Sequence, residues 1–353
     1  MKYVHRIWIF TIVLFLSGGW ISDMEMIAQN PDKKYVMVIH GGAGTMKKEN
    51  MSPEQEKEYK NMLRKALSTG YDILKKGEPA ADAVVATINI LEDSPLFNAG
   101  KGAVFTHDGK NELDASIMDG KTLQAGAVAG VTNIKNPINA ARAVMDHSRH
   151  VMLTGRGAEI FAAEQGCDTV PPSYFHTQSR WESLQRILEQ EKKNDMNDLY
   201  RTPDPFQNEI SSPDEKYGTV GAVAMDAAGN IVAGTSTGGL TNKRFGRVGD
   251  SPIIGAGTYA NNETAGISCT GTGEYFMRSL AAYRVSVLME LENLTIQEAA
   301  DQVISEIGVL GGDGGLIALD QEGRIAFSFN TSGMYRGTVD EDGHIEVMIF
   351  AGE

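Results

Sequence analysis

The chain has 353 residues, 42% hydrophobic and 22% charged, enough apolar material for one large core or two smaller ones. Its net charge of −14 comes with no clustered basic surface, which argues against a nucleic-acid partner. Two distant cysteines, Cys167 and Cys269, without CxxC spacing, and seven scattered histidines without HExxH spacing, give no disulfide framework and no transition-metal motif. A single Cys167–Cys269 bridge stays open.

In chain order, Lys2, His5 and Arg6 precede a largely apolar run over 7–16, then Ser17, Gly18 and Gly19. That order describes a secretory signal; as a helix the run covers only about 15 Å of a ~30 Å bilayer core. It predicts a signal peptide over 1–28, an exported protein (periplasmic or secreted) and no membrane attachment after its removal. An uncleaved anchor is the alternative.

YVMVIH, residues 35–40, reads as a buried strand that enters a glycine turn at Gly41, Gly42 and Gly44. Ser52 and Pro53, with Gln55 three residues after the serine, predict a capped helix start, and that helix should end at Gly77. Further helices are expected over 79–91, 137–147, 155–165 and 181–193. Residues 192–216 are polar and charged and carry three prolines, so 192–218 reads as a mobile linker. Immediately after it, TVGAVAMD and NIVAGTST read as two strands joined at Ala228, Gly229 and Asn230. One long helix is expected over 274–291, and three strands over 315–320, 324–330 and 344–350. Strands at both ends with helices between them predict an α+β fold, with helix layers around stacked sheets.

A polar linker that runs straight into Gly218-Thr219 and a buried strand has two readings. It is a loop entering a hairpin, since threonine is common in strands. Or the Gly218–Thr219 bond breaks, with glycine keeping the carbonyl accessible to the threonine hydroxyl. Cleavage would free an α-amine, which titrates at about 7.7–8.0 when unperturbed. That amine can act as general base for its own hydroxyl, so one residue supplies nucleophile and base. Downstream, small hydroxyl residues lie among glycines at 235–239, 246–252 and 268–273, with a further glycine cluster at 311–315. Such stretches let main-chain N–H groups approach a ligand as an oxyanion hole requires. Arg247 can hold a carboxylate through two parallel hydrogen bonds and Asp250 an ammonium, or the two can be an ordinary surface pair.

These residues resemble a known family. GTVGAVAMDAAGNIVAGTSTGG from Gly218, GRVGDSPIIGAGTYANN from Gly246 and SCTGTGE from Ser268 are similar to the plant-type asparaginases, or isoaspartyl peptidases. These are N-terminal nucleophile hydrolases related to glycosylasparaginase and taspase. HGGAGT at 40–45, PLFNAGKGAVFT at 95–106, ELDASIMDG at 112–120, NPINAARAVM at 136–145 and FNTSGMYRG at 329–337 agree, so the likeness runs from about Tyr35 to Gly337.

The resemblance implies a four-layer αββα sandwich. It implies an α-subunit over 29–218 and a β-subunit over 219–353, forming one domain and pairing as a dimer of αβ heterodimers. Thr219 would be the nucleophile and Thr237 its activator. Thr270 and Gly271 would form the oxyanion hole, Arg247 would bind the substrate α-carboxylate and Asp250 its α-amine. Gly271, Gly273 and Asn98 would complete the substrate pocket. No cofactor is expected for catalysis; a structural sodium would sit on the carbonyls of Leu91, Glu92, Ser94, Phe97, Ala99 and Lys101. Glu92, Asp114, Asp119 and His40 read as structural. The implied reaction is hydrolysis of β-aspartyl dipeptides and asparagine. A glycosylasparaginase-like amidase and an inactive exported binding protein are the alternatives.

Overall fold

The computed structural model describes residues 35–197 and 218–353. The expected signal peptide and residues 198–217 of the expected linker lie outside them.

The elements run β1 (Val36–Gly44), α1 (Pro53–Leu74), α2 (Ala80–Glu92), β2 (Leu113–Asp119), β3 (Ala125–Val131), α3 (Pro137–His147), β4 (Met152–Thr154), α4 (Gly155–Glu164) and α5 (Gln178–Asn197). After residue 218 come β5 (Val220–Met225), β6 (Ile231–Thr237), β7 (Thr258–Ala260), β8 (Ala265–Gly271), α6 (Gly273–Ser279), α7 (Ala281–Glu292), α8 (Ile296–Val309), β9 (Gly314–Asp320), β10 (Ile325–Phe329), β11 (Gly333–Val339) and β12 (Ile345–Phe350). The chain is therefore α+β.

Eight strands form one sheet in the order β12-β11-β1-β5-β6-β2-β3-β4, and four form another in the order β10-β9-β8-β7. The period-two alternation of strand side chains sorts the apolar residues onto opposite faces. Met37 and Ile39 of β1, with Val220 and Ala222 of β5, pack with Leu63 and Leu67 of α1 and Val84 and Ile88 of α2. Val36, Val38, Val223 and Ala233 point the other way, to Ile317 and Leu319 of β9 and Ala260 of β7. Leu316 and Ala318 of β9 meet Val285 of α7 and Val303 and Ile307 of α8. Each valine, leucine, isoleucine or methionine among them contributes about 1.5–3 kcal/mol by leaving water.

Ser52 caps α1 as expected: its hydroxyl accepts from Gln55 N at 3.2 Å, and Gln55 Oε1 accepts from Ser52 N at 3.0 Å. Two expectations need correction. The single helix over 274–291 is two, because Leu280 takes a left-handed φ of 50° between α6 and α7. The first amides of α7 are then taken by a neighbouring loop, Ala282 N by Ala256 O at 3.1 Å and Tyr283 N by Gly255 O at 2.8 Å. Helix α5 continues to Asn197, past the expected start of the linker at 192. It is tied down where Glu191 accepts from Asn242 Nδ2 at 2.7 Å and Arg244 Nη2 at 2.9 Å. Cys167 and Cys269 are both free, so no bridge joins them.

Candidate active site

Strand β5 lies in the interior of the large sheet, between β1 and β6, with Val220 opposite Ser236. One residue earlier, that antiparallel register brings Thr219 level with Thr237. Their hydroxyl oxygens are 2.9 Å apart, and Gly239 N donates to Thr237 Oγ1 at 3.1 Å. Gly218 is buried, and its carbonyl accepts from Asn98 N at 2.9 Å. No side chain fits at 218, since a Cβ there would stand 2.6 Å from Asn98 N. From the other side Gly42, at φ +110°, approaches so closely that its own Cβ would meet Gly218 Cα at 2.6 Å.

Asn98 ties this corner together. Beyond the bond to Gly218, its carbonyl accepts from Gly238 N at 3.0 Å, its Oδ1 from Val104 N at 3.0 Å, and its Nδ2 donates to Gly239 O at 2.7 Å. Strand β8 ends nearby. Thr270 Oγ1 accepts from Ala43 N at 3.4 Å, which leaves the hydroxyl proton of Thr270 available to donate.

A cluster of charge lies beside these hydroxyls. Asp250 is buried, and its Oδ2 has no hydrogen-bond partner among the described residues. Burial pushes its carboxyl up to about 7 against the pull of the Arg247 guanidinium. Gly273 faces both groups: a Cβ there would stand 2.8 Å from Asp250 Oδ1 and 2.9 Å from Arg247 Nη2. Arg247 is held by Glu274, a residue absent from the sequence-derived site, with Nε to Oε1 and Nη2 to Oε2 both at 2.9 Å. Burial pushes the Glu274 carboxyl up, but the bonds and charge of Arg247 outweigh this and hold it below the usual range. Asp114, opposite Thr237 in the sheet, is raised by burial and pulled back by Lys243 and Arg247. Lys243, also missed, is buried and donates from Nζ to Glu112 O at 3.1 Å. The position of Glu274 directly after SCTGTG was the one signal that could have found it.

Two buried titratable groups flank the nucleophile strand. His40 Nδ1 is 3.0 Å from the Thr219 carbonyl, and burial drives its imidazole down to about 3, so the ring is neutral. Glu92 Oε1 accepts from Ser236 Oγ at 2.6 Å and Ile138 N at 3.1 Å, while Oε2 has no partner among the described residues. Burial pushes this carboxyl up to about 8.

The loop from Leu91 to Lys101 curls back on itself. Gly100, at φ +49°, comes so close that a Cβ on it would sit 2.3 Å from the Glu92 carbonyl. Half-buried Arg180 donates to the carbonyls of Gly102 at 3.0 Å and Leu96 at 3.3 Å, neither of which belongs to the six expected sodium ligands. Of those six, the carbonyls of Leu91, Phe97 and Ala99 accept from Ser94 N at 3.2 Å, Ala99 N at 3.0 Å and Gly102 N at 3.1 Å, and each keeps a second lone pair that a hard cation with oxygen ligands could use.

Comparison with known proteins gives a consistent picture. A family model described as asparaginase matches residues 33–349. The isoaspartyl peptidase of Escherichia coli (strain K12) is 50% identical over 304 residues, covering 86% of this chain and 92% of the relative. A plant-type L-asparaginase of Pyrococcus furiosus is 45% identical over 302 residues, covering 84% and 94%. An isoaspartyl peptidase/L-asparaginase of Xenopus laevis is 40% identical over 321 residues, covering 91% and 96%.

Proposed function

The chain belongs to the asparaginase family, and on that premise we propose that it is an isoaspartyl peptidase/L-asparaginase activated by breaking its own Gly218–Thr219 bond. The observation that carries this reading is the 2.9 Å contact between Thr219 Oγ1 and Thr237 Oγ1, directly after a glycine whose carbonyl is held by Asn98 N–H.

Thr219 Oγ attacks the Gly218 carbonyl, and the Asn98 amide supports the charge that develops on that oxygen. The resulting ester hydrolyses and leaves Thr219 as a chain end. Its α-amine then serves as base for its own hydroxyl, and Thr237 orients that hydroxyl. Arg247 receives the substrate α-carboxylate, exchanging Glu274 for it, and Asp250 receives the α-amine. Gly271 and Gly273 leave room for the substrate beside these groups. The hydroxyl attacks the side-chain carbonyl; Thr270 and the Gly271 amide stabilise the oxyanion. The amine leaves, and water releases aspartate. Asn98 borders the same pocket as part of its wall.

Further readings belong to the same proposal. The three apolar clusters support a four-layer αββα sandwich. The chain is exported, to the periplasm or beyond, and matures into an α-subunit ending at Gly218 and a β-subunit beginning at Thr219. Two such αβ pairs associate. The loop from Leu91 to Lys101 holds a sodium ion that keeps Asn98 in place.

The test is a side-by-side assay of a β-aspartyl dipeptide, asparagine and a glycosylated asparagine, using wild type and Thr219→Ala. Turnover of the first two by wild type alone supports the reading. Preference for the glycosylated substrate, or activity in Thr219→Ala, contradicts it.

A further inference from the structure

We propose that a buried chain of hydroxyl groups fixes the separation between Thr219 and Asp250 and so makes the site select aspartyl over glutamyl acyl groups. This rests on the reading of Thr219 as nucleophile and Asp250 as anchor of the substrate α-amine.

The chain begins at the nucleophile. A carbonyl only accepts, so His40 Nδ1–H donates to Thr219 O at 3.0 Å, and the neutral ring presents a lone pair at Nε2. Ser268 donates to that nitrogen at 2.9 Å. Thr235 lies 2.6 Å from Ser268 Oγ, and Thr258 donates to Thr235 at 2.6 Å. Ser116 lies 2.8 Å from Thr258 Oγ1 and 2.6 Å from the carbonyl of Ser251, the residue after Asp250. His40, Ser268, Thr235, Thr258 and Ser116 are all fully buried, and none is used in the proposed chemistry.

The chain threads between the two sheets. Thr235 and Ser116 come from the large sheet, Ser268 and Thr258 from the small one. Apolar contacts between sheets are non-directional, but a satisfied buried polar network selects one arrangement. Space is reserved for it: a Cβ on Gly221, two residues after the nucleophile, would stand 2.0 Å from Ser268 Oγ and 2.3 Å from His40 Nε2.

A β-aspartyl and a γ-glutamyl group carry the same α-amine and α-carboxylate. They differ by one methylene between those anchors and the reacting carbonyl. Misplacing reacting atoms by about 1 Å can cost ~10²-fold in rate. A fixed anchor-to-nucleophile distance therefore reads acyl length.

The experiment compares kcat/KM for β-aspartyl-leucine and γ-glutamyl-leucine in wild type, Ser116→Ala, Thr258→Val and Thr258→Ser, with thermal unfolding of each. The expected result is an aspartyl-to-glutamyl ratio reduced about 10-fold or more in Ser116→Ala and Thr258→Val, the size of a one-methylene discrimination. Thr258→Ser, which keeps the hydroxyl, should retain the wild-type ratio. A lowered Tm with an unchanged ratio would make the chain a stabilising network only and overturn the proposal. Should Thr258→Val not fold, Ser116→Ala, which removes a single oxygen, decides alone. A wild type that cleaves neither dipeptide would instead defeat the underlying reading of the site.

Discussion

Arg247 and Glu274 form a two-pronged ion pair, with both contacts at 2.9 Å, beside the buried carboxyl of Asp250. The fork proposed for the substrate carboxylate is thus already engaged by a carboxylate of the protein itself. Half-exposed pairs of this kind contribute about 0–1 kcal/mol, weak enough for substrate to displace. Glu274→Gln removes the competitor and should lower KM for β-aspartyl substrates by roughly 2–5-fold with little change in kcat. A raised KM in steady-state kinetics would show that Glu274 aims the guanidinium rather than competing for it.

Arg247→Ala removes the proposed carboxylate clamp. Truncating one partner of such a pair typically costs about 2–5 kcal/mol, so kcat/KM should fall by roughly 30-fold to several thousand-fold. Self-cleavage should proceed, because Arg247 touches substrate and not the scissile bond. A denaturing gel of purified variant checks this; an unbroken chain would assign Arg247 a part in folding or maturation.

Asp250 must be ionised to hold an ammonium, yet burial raises its carboxyl to about 7. Below that pH the free enzyme carries it protonated. The kcat/KM profile, which reports the free enzyme, should rise as pH passes upward through about 7. Bound substrate favours the ionised form, so the corresponding limb in kcat should lie at lower pH. Asp250→Asn should be severely impaired and lack the limb. A wild-type profile flat between pH 6 and 8 would exclude this role.

Glu92 gives a prediction about stability. Its carboxyl is raised from an ordinary 4.5 to about 8 in the folded chain. Between those values the folded state keeps a proton that the unfolded state has lost. The contribution of Glu92 is therefore complete below about 4.5 and is lost as pH rises through about 8. Tm should decline over this window, and Glu92→Gln, which keeps an acceptor for Ser236 and Ile138, should flatten the decline. An identical slope in both proteins, by calorimetry across pH, would contradict the assignment.

Local signals carried much of this fold. The Ser52 cap, the helix over Pro137–His147 and the paired strands on either side of Gly229 are each written in adjacent residues. The break at Leu280 was not legible, because no glycine or proline marks it and the partners of the following amides, Ala282 and Tyr283, lie far back along the chain in the Gly255–Ala256 loop. Strand β8 was hidden for a similar reason: AGISCTG lacks strict alternation and is buried on both sides. Within the site, Thr219, Thr237, Arg247 and Asp250 stand in dense motifs. Glu274 was marked only by standing directly after SCTGTG, while Lys243 and the hydroxyls of Ser116 and Thr258 were silent, since their partners depend on which segments become neighbours. His40 read as structural; its bond to the Thr219 carbonyl emerges only from the pairing of β1 with β5.

The central claim is that Thr219 becomes reactive by becoming a chain end. Intact mass and N-terminal sequencing of active, purified protein test it most directly. Two chains, the smaller beginning Thr-Val-Gly-Ala, are predicted, together with a single chain from Thr219→Ala. Full activity in a polypeptide still continuous across Gly218 and Thr219 would contradict the account.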